Sequence, residues 1–191
     1  MKIGFASLKI LLAAAVIVAL NASLAPALAQ QSAPPPPSSA SPDKRIGKAE
    51  VFYVAGENAT MVNVPNLNVW GSNLNKLVLS AAFKVAGKKV VKPGDVYFSF
   101  VSVSKKKKFS GNEKLEVRAG NKNLQFGQMR HTSPPSPGNV VIEQMEFKVP
   151  YSSFLELTGS DDVAMRLGEI EFSMPRGQIE ALRDLSRAVG N

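Results

Sequence analysis

Between Lys76 and Gly87 the chain alternates strictly. Leu77, Leu79, Ala81, Phe83 and Val85 fall on one side of an extended backbone, and Val78, Ser80, Ala82 and Lys84 on the other. A period of two predicts a half-buried β-strand. Val91 to Asp95 (VKPGD) then reads as a turn, with Pro93 presetting φ and Gly94 accepting a positive φ. The next run, VYFSFVSVS, is β-branched and aromatic throughout and predicts a central strand. LEVRAGNKNLQFG predicts a hairpin about Gly120 and Asn121, NVVIEQMEFKV predicts another long strand, and EVFYVA and TMVNV predict two weaker ones.

The period changes towards the end. SSFLEL carries a Ser153-x-x-Glu156 capping box and predicts a short helical turn. VAMRLGEIEFSM folds back on itself about Gly168 and Glu169. Pro175 then stands where a first helical residue belongs, and Ile179, Leu182, Leu185 and Val189 line one face of a helix over residues 175–189. The expected fold is mainly β: seven to nine short strands in two antiparallel sheets, packed as a β-sandwich that is loosely immunoglobulin-like in architecture. One C-terminal amphipathic helix covers a sheet edge or an end of the sandwich.

The beginning of the chain is of another kind. Lys2 and Lys9 precede the apolar run ILLAAAVIVAL, and Ala27-Leu28-Ala29 has the small–x–small form of a signal-peptidase site. Residues 1–29 are therefore expected to be a signal peptide cut between Ala29 and Gln30. Residues 30–43 (QQSAPPPPSSASPD) hold almost no large apolar side chain and read as a disordered linker. Residues 44–191 remain as one domain. The chain has no cysteine, so it carries neither a lipid-modified cysteine nor a disulfide, and export without disulfides fits a periplasmic or secreted protein of a bacterial envelope.

Charge is unevenly spread. The formal net charge is +8. Lys84 to Arg130 holds twelve Lys or Arg against three acids, whereas His131 to Asn191 holds five against nine. Such a chain reads as a dipole. Its most basic stretch is Lys105 to Lys108, between a strand ending near Val103 and one starting near Leu115. Two readings stand: a solvated hairpin tip that discourages edge pairing, or part of an anion-binding face shared with Lys88, Lys89, Lys92, Lys114, Arg118 and Lys122. Strand phase turns Phe83, Phe98 and Phe100 inward. Trp70 and Phe109 lie in loop-like sequence and are the candidate exposed aromatic anchors.

Catalytic chemistry has little to work with. His131 is the sole histidine and opens a proline-rich loop, which suits a solvated or capping role. No G-x-S-x-G elbow positions a serine. Asp161-Asp162 is the one adjacent acid pair, and it lacks the further carboxylates at fixed spacing that a calcium site needs. No cofactor and no metal is expected.

In the tail, Val163, Arg166, Gly168, Glu171 and Phe172 form V-x-x-R-x-G-x-x-E-F, and a Q-I-E-A-L-R helix follows from Gln178. Over about a quarter of the chain this resembles uncharacterised secreted bacterial proteins in which a short helix precedes such a hairpin. The resemblance implies an envelope β-module and carries over no catalytic residue.

These readings make the protein a non-enzymatic exported module that binds or scaffolds at the cell envelope through its basic face. Expected partners are an anionic envelope polymer, lipid headgroups or an envelope protein; an exported chain seldom meets nucleic acid. The alternatives are a subunit of an envelope complex packing through its acidic C-terminal hairpin and helix, and, last, a hydrolase on a sandwich scaffold. The mature protein is expected to begin at Gln30. N-terminal sequencing of the chain recovered from its native envelope checks this, and a product retaining Met1 would overturn the export reading.

Overall fold

In the computed structural model the described residues are 48–127, 129–136 and 138–189. The expected signal segment, the Ala29–Gln30 cleavage point and the linker over 30–43 lie outside them. The alternating stretches form ten strands among the described residues: β1 (Glu50–Val54), β2 (Ala59–Ser72), β3 (Asn75–Ala86), β4 (Asp95–Ser104), β5 (Leu115–Ala119), β6 (Lys122–Phe126), β7 (Met129–Thr132), β8 (Val141–Pro150), β9 (Val163–Leu167) and β10 (Ile170–Ser173). Helix α1 (Tyr151–Gly159) follows β8, and helix α2 (Arg176–Arg187) follows β10.

Two antiparallel sheets result. One has six strands in the order β1-β2-β3-β4-β8-β7, and the other has four in the order β10-β9-β5-β6. The sequence periodicity is realised residue by residue in β3, where Leu77, Leu79, Ala81, Phe83 and Val85 are all buried. Next in the same sheet, β4 and β8 pair Phe98 with Phe147 and Phe100 with Met145. All four of these side chains are fully buried, and the Phe100 and Phe147 rings meet edge to face at 6.0 Å. One apolar cluster takes side chains from both sheets and both helices. Phe100 of the larger sheet meets Phe172 of the smaller one with 6.3 Å between ring centroids.

Several boundaries depart from the sequence reading. Ten strands form among the described residues rather than seven to nine, the added one being β7, which takes up His131, and the stretch read as a loop around Trp70 extends TMVNV into one fourteen-residue strand, β2. The β2–β3 register slips between Val64 and Leu67, across Pro65 and Asn66. Proline has no N–H for the ladder and Asn66 has φ 56°, so a bulge absorbs both. Gly94 does not take a positive φ; Gly87 does, at 77°, and its N–H donates to the Asn58 carbonyl at 2.7 Å.

Two helices stand where one was expected. Helix α1 starts at Tyr151 with Pro150 as its N-cap residue and no side-chain cap, so Ser153 lies inside the helix and the expected capping box does not form. Pro150 closes β8 because it cannot donate to the ladder and its fixed φ leads into a helix. Helix α2 has Pro175 at its N-cap rather than as its first helical residue and ends at Arg187 rather than at 189. The tail motif is hairpin chemistry. Gly168 takes φ +59° in the β9–β10 turn, Arg166 stands opposite Glu171 across it, and Val163 and Phe172 are buried.

Helix α2 is held by its apolar stripe, Ile179, Leu182 and Leu185 all being fully buried, and by the Gln178 side-chain amide donating to the Asn68 carbonyl at 2.8 Å. Truncating a buried leucine removes transfer energy and leaves a cavity, together about 2–5 kcal/mol. Leu182→Ala should therefore lower the melting temperature by roughly 5–15 °C. Thermal unfolding followed by circular dichroism measures it, and an unchanged curve would mean that the helix does not hold the domain together.

Candidate functional site

Lys105 to Lys108 does not sit on a hairpin. Strands β4 and β5 belong to different sheets, so the segment between them is the crossover that carries the chain from one sheet to the other. Crossing over leaves backbone amides facing inward with no ladder to receive them, and each needs a partner. The side chain of Glu143 supplies it. Glu143 lies on β8 opposite Ser102 and is fully buried. Its carboxylate accepts the Lys108 N–H at 2.8 Å and the Phe109 N–H at 3.1 Å.

The neighbouring groups complete the anchor. The Ser104 hydroxyl donates to the Lys106 carbonyl at 2.6 Å. His131 brings Nε2 to 3.3 Å from the same carboxylate, and Gly111 lies against its ring, where an added Cβ would stand 3.3 Å from Nδ1. His131 is thus on β7 and half-buried rather than in a solvated loop. Beyond it, Glu113 clamps the turn by accepting the Ser110 N–H at 2.6 Å, the Ser110 hydroxyl at 2.8 Å and the Gly111 N–H at 2.9 Å. Burial pushes the Glu113 carboxyl upward, but these donors outweigh it and bring it down to about 2.

With the backbone tied from below, all four lysines are exposed. Lys108 folds back so that Nζ stands 4.4 Å from the Trp70 ring centroid and donates to Asn75 Oδ1 at 2.6 Å. This is a cation–π contact with a hydrogen bond beside it. Trp70 is accordingly half-buried, under a lysine and on strand β2. Phe109 is only 3% exposed and is no surface anchor: the crossover turns its ring into the core between the two amides' worth of backbone that Glu143 holds.

The wider basic face does not assemble. Lys88, Lys89 and Lys92 lie in the β3–β4 connection, at the opposite end of β4 from Lys105. Ten residues of strand at roughly 3.3 Å each put about 30 Å between the two groups. There Lys88 stands over the Tyr53 ring at 5.5 Å and Lys92 over Tyr151 at 6.0 Å. Arg118 pairs with Asp162 at 3.2 Å, and Lys122 with Glu156 at 3.2 Å. Lys114 remains at the start of β5, beside the crossover. Lys76, next to the β2–β3 turn and opposite Val103, joins Lys105 to Lys108 although the sequence reading did not single it out.

The acid pair separates as well. Asp162 faces Arg118, while Asp161 accepts from Arg183 at 2.7 Å, which lowers its carboxyl. Arg183 also donates to the carbonyls of Thr158 and Ser160, at 2.6 and 3.1 Å, fastening α2 to the end of α1. Among the described residues no three His, Cys, Asp or Glu gather to hold a metal ion, and no helix is long and apolar enough to cross a membrane.

Glu143 is the residue that the sequence reading missed. Its signal was phase: it shares the inward side of β8 with Met145, Phe147 and Val149. An acid in the buried phase of a strand requires donors. Glu143→Gln presents an NH₂ to one of the two amides and should cost about 1–3 kcal/mol, a fall of roughly 3–10 °C in melting temperature. Hydrogen exchange at Lys108 and Phe109 should accelerate more than exchange in β9. Uniform protection in the variant would show that the carboxylate does not hold the crossover.

Compared with protein-family models, with curated proteins and with solved structures, the chain gives no significant match.

Proposed function

We propose that this protein is an exported, non-enzymatic β-module of a bacterial envelope that binds an anionic surface through the end of the larger sheet carrying Lys76 and Lys105 to Lys108. The observation that carries the reading is a contrast in pairing. Elsewhere Lys84, Arg118, Lys122, Lys148 and Arg183 are matched with Glu57, Asp162, Glu156, Asp95 and Asp161, and Lys88 and Lys92 lie over the Tyr53 and Tyr151 rings. Lys105, Lys106 and Lys107 have no acid within ion-pair distance among the described residues. The carboxylates nearest the crossover are spent on backbone: Glu143 is buried beneath it, and Glu113 is bound to Ser110 and Gly111. Lysines that are exposed, adjacent and unmatched keep their full attraction for an external anion.

The two sheets are inferred to stack as an antiparallel sandwich, loosely immunoglobulin-like, an arrangement supported by the Phe100–Phe172 contact between them. In that arrangement the crossover closes one end and α1 lies towards the other. The alternative, docking onto an envelope protein through the acidic hairpin and helix, has less in its favour. On the helix Glu180 and Asp184 are engaged by Arg183 and Arg187, so little acidic charge is left there for a partner.

Each lysine held at an anionic surface contributes on the order of 1 kcal/mol. The processed chain should therefore bind dextran sulfate and anionic vesicles at low salt, and release both as ionic strength rises past the point where screening sets in at about 8 Å. Changing Lys105 to Lys108 together to serine should weaken binding at least about tenfold, with circular dichroism at the working temperature confirming that the variant is folded. No binding by the unaltered protein at low salt, or equal binding by the serine variant, would return the run to a solvated crossover.

A further inference from the structure

Among the described residues five large apolar side chains are conspicuously exposed, and one of them, Leu74 at 49%, stands at the basic end. It occupies the tip of the β2–β3 hairpin, where Ser72 pairs with Asn75 and Gly71 with Lys76. A lone exposed leucine is ordinary. The setting of this one is not. The side chain of Asn75 next to it receives the Lys108 ammonium, Lys76 follows at the base of the turn, and Lys105 to Lys107 continue from the adjoining strand end.

The tip is also rigid. Asn73 has φ 51°, and the Asn68 side-chain amide donates to the Gly71 carbonyl at 3.1 Å. Gly71 has φ +71°, and a Cβ there would stand 2.0 Å from the Asn75 carbonyl oxygen, so only glycine lets the two backbones approach. A fixed turn thus presents one aliphatic side chain next to Lys76 and the four-lysine crossover.

We infer that this end is a membrane-surface contact, in which Leu74 enters the headgroup–acyl boundary of an anionic bilayer while the lysines around it engage lipid phosphates. The inference rests on the anion-binding reading above and narrows its ligand from any polyanion to a lipid surface. Charge complementarity selects an anionic partner. The apolar tip selects one with an interior, because a soluble polymer offers a leucine nothing to bury in, whereas a bilayer offers hydrocarbon a few ångströms below its charged plane. The lysines beside the tip keep their ammonium groups at headgroup level while their stems follow the leucine down. Of the carboxylates at this end, Glu143 is buried and Glu113 is bound to Ser110 and Gly111, while Glu169, exposed on the β9–β10 turn that abuts the Phe109 ring, is outnumbered by Lys76 and Lys105 to Lys108.

The chain contains a single tryptophan, and it is Trp70, under Lys108 at this same end. Its emission therefore reports on the proposed contact without a label. The experiment titrates the processed protein with phosphatidylcholine vesicles with and without phosphatidylglycerol, and separately with dextran sulfate. Leu74→Ser is the test variant, and Leu155→Ser, which removes an exposed leucine from α1, is the control. Expected are binding only to the anionic vesicles, a blue shift of Trp70 emission with quenching by lipids brominated on the acyl chain, and a loss of about tenfold in vesicle affinity for Leu74→Ser. Leu155→Ser should bind as the unaltered protein does, and dextran sulfate affinity should be the same for all three. If Leu74→Ser binds vesicles as tightly as the unaltered protein, or if brominated lipid leaves the emission unchanged, the membrane contact is wrong while the basic-end reading survives on dextran sulfate. If the unaltered protein binds neither vesicles nor dextran sulfate, both fail together.

Discussion

The crossover from β4 to β5 is the constraint on which the architecture turns. Here the chain leaves a sheet whose ladder has satisfied its backbone and enters another whose ladder has yet to begin. Its amides at Lys108 and Phe109 point inward across that gap. An unpaired buried N–H costs about as much as a lost hydrogen bond, and two in succession would be a substantial part of a marginal stability. A buried carboxylate with two oxygens and several lone pairs is an economical acceptor for adjacent amides, and charge-assisted bonds are the stronger kind. Once Glu143 holds this backbone, Phe109 is committed to the core, Gly111 must lie against His131, and β5 starts in register with both β6 and β9.

The same segment shows how a folded chain redistributes charge that is segregated in its sequence. A basic middle and an acidic tail suggested two poles. Folding instead lays parts of one against parts of the other. Arg118 and Lys122 from the basic stretch meet Asp162 and Glu156 from the acidic one, and Glu116 meets Arg166, where it is held below the usual carboxylate range by hydrogen bonding to that guanidinium. Exposed pairs of this kind add little stability individually. Their larger effect is subtraction, since they match Arg118 and Lys122 with acids and leave Lys105 to Lys107 among the basic side chains without one.

How far the pattern of residues foretold this can be judged position by position. Strict alternation marked β3, and aromatic and β-branched content marked β4, because burial on one face leaves no freedom in phase. The turns at Gly120 and Gly168 were legible since each needs a left-handed backbone that glycine adopts freely. Trp70 was misread for a local reason: NLNVWGSN carries turn-forming letters, yet a bulge beside Pro65 and Asn66 lets the strand run through them. Phe109 was misread for a long-range one. Its burial follows from Glu143, thirty-four positions away, and nothing near Phe109 announces that partner. The separation of Lys88 and Lys89 from Lys105 was likewise invisible until strand order was known, because a turn and a crossover flanking one strand are close in sequence and lie at opposite ends of it.

What joins the buried acid to the exposed lysines is electrostatic as well as structural. Four successive ammonium groups repel one another, and a free loop would relax by spreading them. Holding the backbone at Lys108 and Phe109 prevents that relaxation, so the repulsion is retained in the folded state as an unusually positive local potential. Burying Glu143 costs desolvation, and the two amide donors together with the positive field above it offset that cost. The stacking of Lys108 on Trp70 removes one charge from the outer rank and leaves Lys105, Lys106 and Lys107 facing water. Anchor and cationic surface are therefore a single arrangement. The carboxylate makes the lysines hold still, and the lysines make the carboxylate tolerable where it is. An anion approaching from outside would relieve the remaining repulsion, and that relief is the physical basis of the proposed binding.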